Sequence, residues 1–208
     1  MYAIVMNVGN SSLEVLQYIV SLYDEIDSVK LIAHEVGINW GQKYDTNNKI
    51  TDHLEESLIQ ETPLRVVEYD RQDFLTMVLS DLHSDGHNVW SFTSKVTMKD
   101  GSHRHIPMIN FHPLKDVTLD DIKWFIVLSE PLTSGVLLES GRYYHYYQVN
   151  LLSEEEWIQF NARFLMPMIL VRSRYIGHRL RDGYSTLRLT NDTTYKPKIP
   201  RVIVLLKN

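Results

Sequence analysis

The 208-residue sequence contains no cysteine. Disulfide frameworks, thiolate nucleophiles and cysteine-based zinc sites are therefore excluded, and the composition fits a reducing compartment. Long apolar runs are missing too, with none approaching the roughly 20 residues that span a bilayer. The opening stretch MYAIVMNVGNSS has neither a basic start nor a small-residue cleavage site, so a cytoplasmic chain with no membrane partner is expected. Internal repeats and low-complexity tracts are also lacking. What remains is 44% hydrophobic and 23% charged, ordinary for a soluble globular chain. Its length suffices to bury a core without a structural metal.

Acidic residues are scarce in one region only. Residues 1–100 hold 16 acids and 7 bases, whereas residues 101–208 hold 10 acids and 14 bases. Within 163–208 there are 10 bases against only Asp182 and Asp192. Such asymmetry suits a surface that meets phosphates, with the acidic part facing water or a partner protein.

Apolar spacing predicts a short strand at 2–8 and a helix over SSLEVLQYIVSLYDEI, capped by Ser11 or Ser12. A polar loop at 37–48, a helix at 51–60, a strand at 64–69 and a helix at 71–82 complete an N-terminal α/β lobe, taken as residues 1–87. From 88 onward the grammar changes. Two β-rich runs, NVWSFTSKVTM and SHRHIPMINFH, flank Lys99-Asp100-Gly101, a hairpin signal. Thr118 with Asp121 and Ser153 with Glu156 read as capping boxes that open two helices. Trp124, Phe125, Trp157, Phe160 and Phe164 are expected in the core. Residues 103–189 run strand, helix, strand, strand, helix, basic segment, strand. That is the order of a split-βαβ, or RRM-like, sheet with helices on one face, so the fold class is α+β with a core at 88–208.

In such a sheet HIPMINFH and RYYHYY are adjacent strands, and side chains alternate faces along each. An open face is then expected to gather Asn110, His112, Ser140, Arg142, His145 and, from the strand TLRL, Arg188. Cationic and hydroxyl donors with almost no acid describe a phosphate site. Tyr143, Tyr144, Tyr146 and Tyr147 supply rings for base stacking or for the core. Arg172, Arg174, His178, Arg179 and Arg181 fall on a basic helix that, with Lys196, Lys198 and Arg201, would track a nucleic-acid backbone. His103, His105, His112 and His145 raise a metal reading, and Glu139 or Asp116 could hold a single cation.

The element Ser140-Gly141-Arg142-Tyr143-Tyr144-His145 resembles motif II of the archaeo-eukaryotic primase superfamily, in which serine and histidine hold nucleotide phosphates. The chain looks like a small bacterial primase-like protein over residues 88–206. The resemblance implies metal-binding acids at the ends of MINFH and TLRL. Asn110, His112 and Arg188 stand there instead, and two-metal phosphoryl transfer requires anionic oxygen ligands. Three functions fit. The first is a catalytically degenerate primase-like domain that binds single-stranded RNA, DNA or a nucleotide within a bacterial defence or replication assembly, with no cofactor. The second is an active nucleotidyltransferase with an atypical magnesium or manganese site. The third is an interaction module that docks a protein partner through the acidic N-terminal lobe.

Overall fold

A computed structural model describes residues 6–35, 50–58, 62–83, 88–130, 134–191 and 196–206. Helix α1 (Ser12–Ser21) opens on a capping box between Ser11 and Glu14 and buries Leu13, Val15, Leu16, Ile19 and Val20. It stops short of the expected end, because the chain then extends into β1 (Ile26–Glu35), a strand not among those expected from the sequence. Residues 6–8 are not a strand, and the rest of the expected strand at 2–8, like the loop at 37–48, lies outside the described residues. Then come α2 (Ile50–Leu58), β2 (Arg65–Asp70), α3 (Arg71–Thr76) and α4 (Leu79–His83). The single helix expected at 71–82 is broken at Met77, whose backbone is extended.

The hairpin signal at Lys99-Asp100-Gly101 joins β3 (Asn88–Met98) to β4 (His103–His105). Pro107 then interrupts the run, since it has no N–H to continue a ladder. The chain crosses there into β5 (Met108–Phe111), which belongs to a different sheet. The rest is α5 (Leu119–Ser129), β6 (Gly135–Glu139), β7 (Tyr144–Gln148), α6 (Glu154–Leu165), α7 (Ser173–Asp182), β8 (Thr186–Arg188) and β9 (Arg201–Leu206). The protein is α+β, with two antiparallel sheets among the described residues.

The first sheet has the order β2-β1-β3, and the long strand β3 pairs along its other edge with β8 at residues 91–93 and with β4 at 95–97. It therefore joins strands from both sides of residue 87. The second sheet has the order β5-β7-β6-β9. Its strand–helix–strand–strand beginning is the one expected, but its fourth strand is RVIVLL rather than TLRL. That strand lies beside β6. TLRL, as β8, pairs with β3 instead. Gly135 opens β6 under the Tyr146 ring, where an added Cβ would stand 2.5 Å from a ring carbon, so only glycine fits.

Two cores result. Ile109, Phe111, Leu137 and Tyr146 point from the second sheet towards α5, α6 and α7, against Ile122, Ile126, Phe160, Phe164 and Ile176. Met108, Val136, Leu138 and Tyr147 point the other way, into a core shared with α1 and the first sheet through Leu16, Leu31, Phe92 and Leu187. The open face expected on the second sheet is thus covered by the first sheet, because Met108, Leu138 and Tyr147 make that face apolar. Trp124, expected in the core, is 67% exposed; α5 turns Ile122 and Ile126 inward and leaves Trp124, Val127 and Leu128 outside. Among the described residues no helix is long and apolar enough to cross a membrane.

Candidate functional site

The elements that carry the expected site meet at one end of the second sheet. Asn110 on β5 lies opposite His145 on β7. Ser140 and Arg142 lie in the turn between β6 and β7, where Gly141 has φ +115° and so needs to be glycine. Arg142 is exposed at the tip of that turn. Ser140 is buried, and its hydroxyl and backbone N–H both donate to Tyr143 O, at 3.0 and 2.9 Å. Its proton thus closes the turn and is not aimed outward.

His112 follows β5, held where its N–H donates to Leu170 O at 2.9 Å. Its ring packs 4.1 Å from that of Tyr143. Burial, reinforced by the charges of Arg172 and Lys196, lowers its pKa to about 4. His145 is 3% exposed and its Nδ1 has no hydrogen-bond partner among the described residues. Burial again, then the charges of Arg188, Lys196 and His112, pushes its pKa well down. Both rings are neutral near pH 7. His112 feels the charges of Arg172 and Lys196, and His145 those of Arg188, Lys196 and His112. Asn110 lies across the ladder from His145 and Ser140 O accepts from Arg188, whereas Arg142 stands exposed on the neighbouring turn.

Arg188 reaches this end from the first sheet. It is 6% exposed and donates to Thr190 O at 2.8 Å, to Lys198 O at 2.6 Å and to Ser140 O. A guanidinium committed to three carbonyls fastens the two sheets together. The sequence offers no sign of this, because none of the three acceptors is a side chain.

The basic helix divides. Arg172, Arg174 and Arg181 are exposed, and Arg181 donates to Leu58 O at 3.0 Å. Arg179 turns inward, donating to Thr186 Oγ and pairing with Asp182 at 3.2 Å. Arg174 Nε lies 3.3 Å from His178 Nε2. Arg172 stands at the helix N-cap without a side-chain cap bond, and in the first turn Tyr175 N–H donates to Arg172 O at 3.0 Å, which leaves the two N–H groups before it outside the helical ladder. Lys196, Lys198 and Arg201 are exposed on the segment that leads into β9. Of the tyrosines, Tyr146 and Tyr147 are fully buried and Tyr143 and Tyr144 half-buried.

The histidine pair of β4 separates. His103 is exposed, whereas His105 is buried with Nδ1 3.1 Å from Ser94 Oγ and Nε2 3.0 Å from Glu154 Oε2. It also stacks on Trp157, ring centroids 4.6 Å apart. Burial lowers its pKa despite Glu154. Glu139 pairs with Lys198 at 2.7 Å, and Asp116 is exposed. Among the described residues no group of three or more His, Asp or Glu could hold a metal ion. The amide of Asn110 and the imidazole of His112, flanked by cations, do not fit a pair of divalent ions.

Two buried histidines, His105 and His145, and the partly buried His112 make stability depend on pH. Their folded pKa values lie below the unfolded 6.5, so the unfolded chain binds more protons and stability falls as pH drops below 6.5. His112 alone contributes a loss on the order of 2 kcal/mol between pH 7.5 and pH 5. Urea midpoints at pH 7.5, 6 and 5 should decline steadily; a flat profile would mean that the folded protein carries these rings charged.

A family model described as AEP-like: Archaeo-eukaryotic primase 1D-like matches residues 71–201, well over half of the chain. No curated protein and no solved structure matches it.

Proposed function

Since the chain belongs to the AEP-like, archaeo-eukaryotic primase 1D-like family, we propose that it binds the phosphates of a nucleotide or of single-stranded nucleic acid without polymerising them. A nucleotide- or nucleic-acid-related function follows from the family. The observation that carries the finer proposal is the cluster of His112, His145, Arg172, Arg188 and Lys196 around the Ser140–His145 turn, where metal-binding acids are expected and Asn110 and His112 stand. Exposed cations supply the charge and the uncapped start of α7 supplies N–H donors. The neutral rings give hydrogen-bonding positions that do not depend on a metal. Residence in a larger replication or defence assembly is part of the same proposal. It is supported by the exposed Trp124, Val127 and Leu128 on α5.

The test is binding of a fluorescent single-stranded oligonucleotide and of ATP in the presence of a chelator. Arg142 and Lys196 are both exposed, so replacing both with alanine should leave the fold intact. Charge-assisted contacts predict about a tenfold or greater loss of affinity, and the salt dependence of oligonucleotide binding should fall by roughly two phosphate contacts. Unchanged affinity would remove the phosphate site from this end of the sheet. Incorporation of a labelled nucleotide in the presence of manganese would replace the proposal with an active nucleotidyltransferase.

A further inference from the structure

Beside the Ser140 turn is an open cleft of about 320 Å3, lined by Glu139, Asn191, Pro197, Lys198, Ile199 and Arg201. That size is at the small end for ligand sites; it suits a sugar or nucleoside rather than a whole nucleotide. Arg188 sets its walls. The three carbonyls it gathers belong to Ser140, Thr190 and Lys198, the first two being chain neighbours of Glu139 and Asn191. One guanidinium therefore holds Glu139, Asn191 and Lys198 in place, and the same charge is felt by His145 on the phosphate side. Arg188 thus lies behind the cleft, bonded to backbone next to or within its lining, and links it to the phosphate cluster.

The chemistry of the lining is specific. Glu139 offers a carboxylate, an acceptor for two hydroxyl protons at once, and its partner is Lys198, an exposed pair of the kind that contributes little on its own. Pro197 and Ile199 give apolar surface for the carbons of a sugar or the face of a base. Lys198 and Arg201 leave the cleft net positive, so an attached phosphate chain is not repelled.

We infer that this cleft is the ribose subsite of the proposed nucleotide site, with Glu139 accepting hydrogen bonds from the 2′- and 3′-hydroxyls of a ribonucleotide. The inference rests on the phosphate site proposed above. It selects a mononucleotide, or the 3′ end of an RNA chain, over a residue inside a strand, which lacks the free vicinal pair.

The test is calorimetric titration of the whole chain with ATP, 2′-deoxy-ATP, 3′-deoxy-ATP and inorganic tripolyphosphate. Either deoxy compound should bind about tenfold more weakly than ATP, as the loss of a hydroxyl bonded to a charged acceptor implies. In Glu139→Gln, with folding checked by thermal melting, the ratio of ATP to deoxy-ATP affinity should fall to about one. Equal binding of ATP and its deoxy forms, with tripolyphosphate still bound, overturns the ribose subsite and leaves the phosphate site standing. A preference that survives Glu139→Gln overturns the assignment to Glu139. Failure of ATP and tripolyphosphate alike to bind overturns both proposals.

Discussion

Replacing Arg188 with methionine should lower the stability of the protein by about 3–5 kcal/mol, the range for breaking a buried charged interaction. The side chain is 6% exposed, and its donors reach Thr190 O, Lys198 O and Ser140 O. Methionine fills similar space, so the change mainly leaves without donors two buried carbonyls, of Thr190 and Ser140, and the part-buried carbonyl of Lys198. Each such orphan costs about 1–3 kcal/mol. Arg188→Lys should recover only part of the loss, because an ammonium is a point donor and cannot span three acceptors as the planar fork does. Urea denaturation of the three proteins measures this. A shift below 1 kcal/mol for the methionine variant would mean that the carbonyls find other donors and that the two sheets are not fastened here.

Trp157→Ala should be comparably severe, at about 3–5 kcal/mol. Trp157 is 1% exposed on α6, and its ring lies against His105 at an interplanar angle of 18°. Removing it opens a cavity beside a chain of hydrogen bonds that runs from Ser185 N–H to Ser94 Oγ, to His105 and to Glu154. That chain joins the residue before β8 to β3, β4 and the first turn of α6, so the seating of α6 against the first sheet should loosen. Trp124→Ala serves as the comparison. Its ring is 67% exposed, and the expected change is within about 0.5 kcal/mol. Similar losses at both positions would show that ring burial does not set the difference.

The contrast between these tryptophans marks how far sequence patterns reach. The capping boxes at Thr118 and Ser153, the hairpin at Lys99-Asp100-Gly101 and the Ser140–His145 turn are written in residues a few positions apart, and all four form. Trp124 and Phe125 are neighbours in one apolar run, and only the packing of α5 decides that Phe125 meets Phe164 while Trp124 faces out. β8 is three residues long, too short for its own pattern to name a partner; its pairing with β3 is fixed by the far side of the chain. The pairing of the strand that carries Asn110 with the strand that carries His145 was legible from the element order, whereas the approach of Lys196 to both histidines was not. The inward turn of the Ser140 hydroxyl and the carbonyl cage of Arg188 were not, because both depend on backbone acceptors that every residue carries.

The entry to α1 and the entry to β9 are bonded to each other. Gly9 N–H donates to Val202 O, Val202 N–H to Asn10 O, Ser12 N–H to Pro200 O, and Arg201 Nη1 to Gly9 O, a pair 192 positions apart. Pairings of such long range close large loops before any reward is gained, which slows folding. During synthesis the entry to α1 lacks these partners until β9 has left the ribosome, and until then β6 has an edge exposed to other chains.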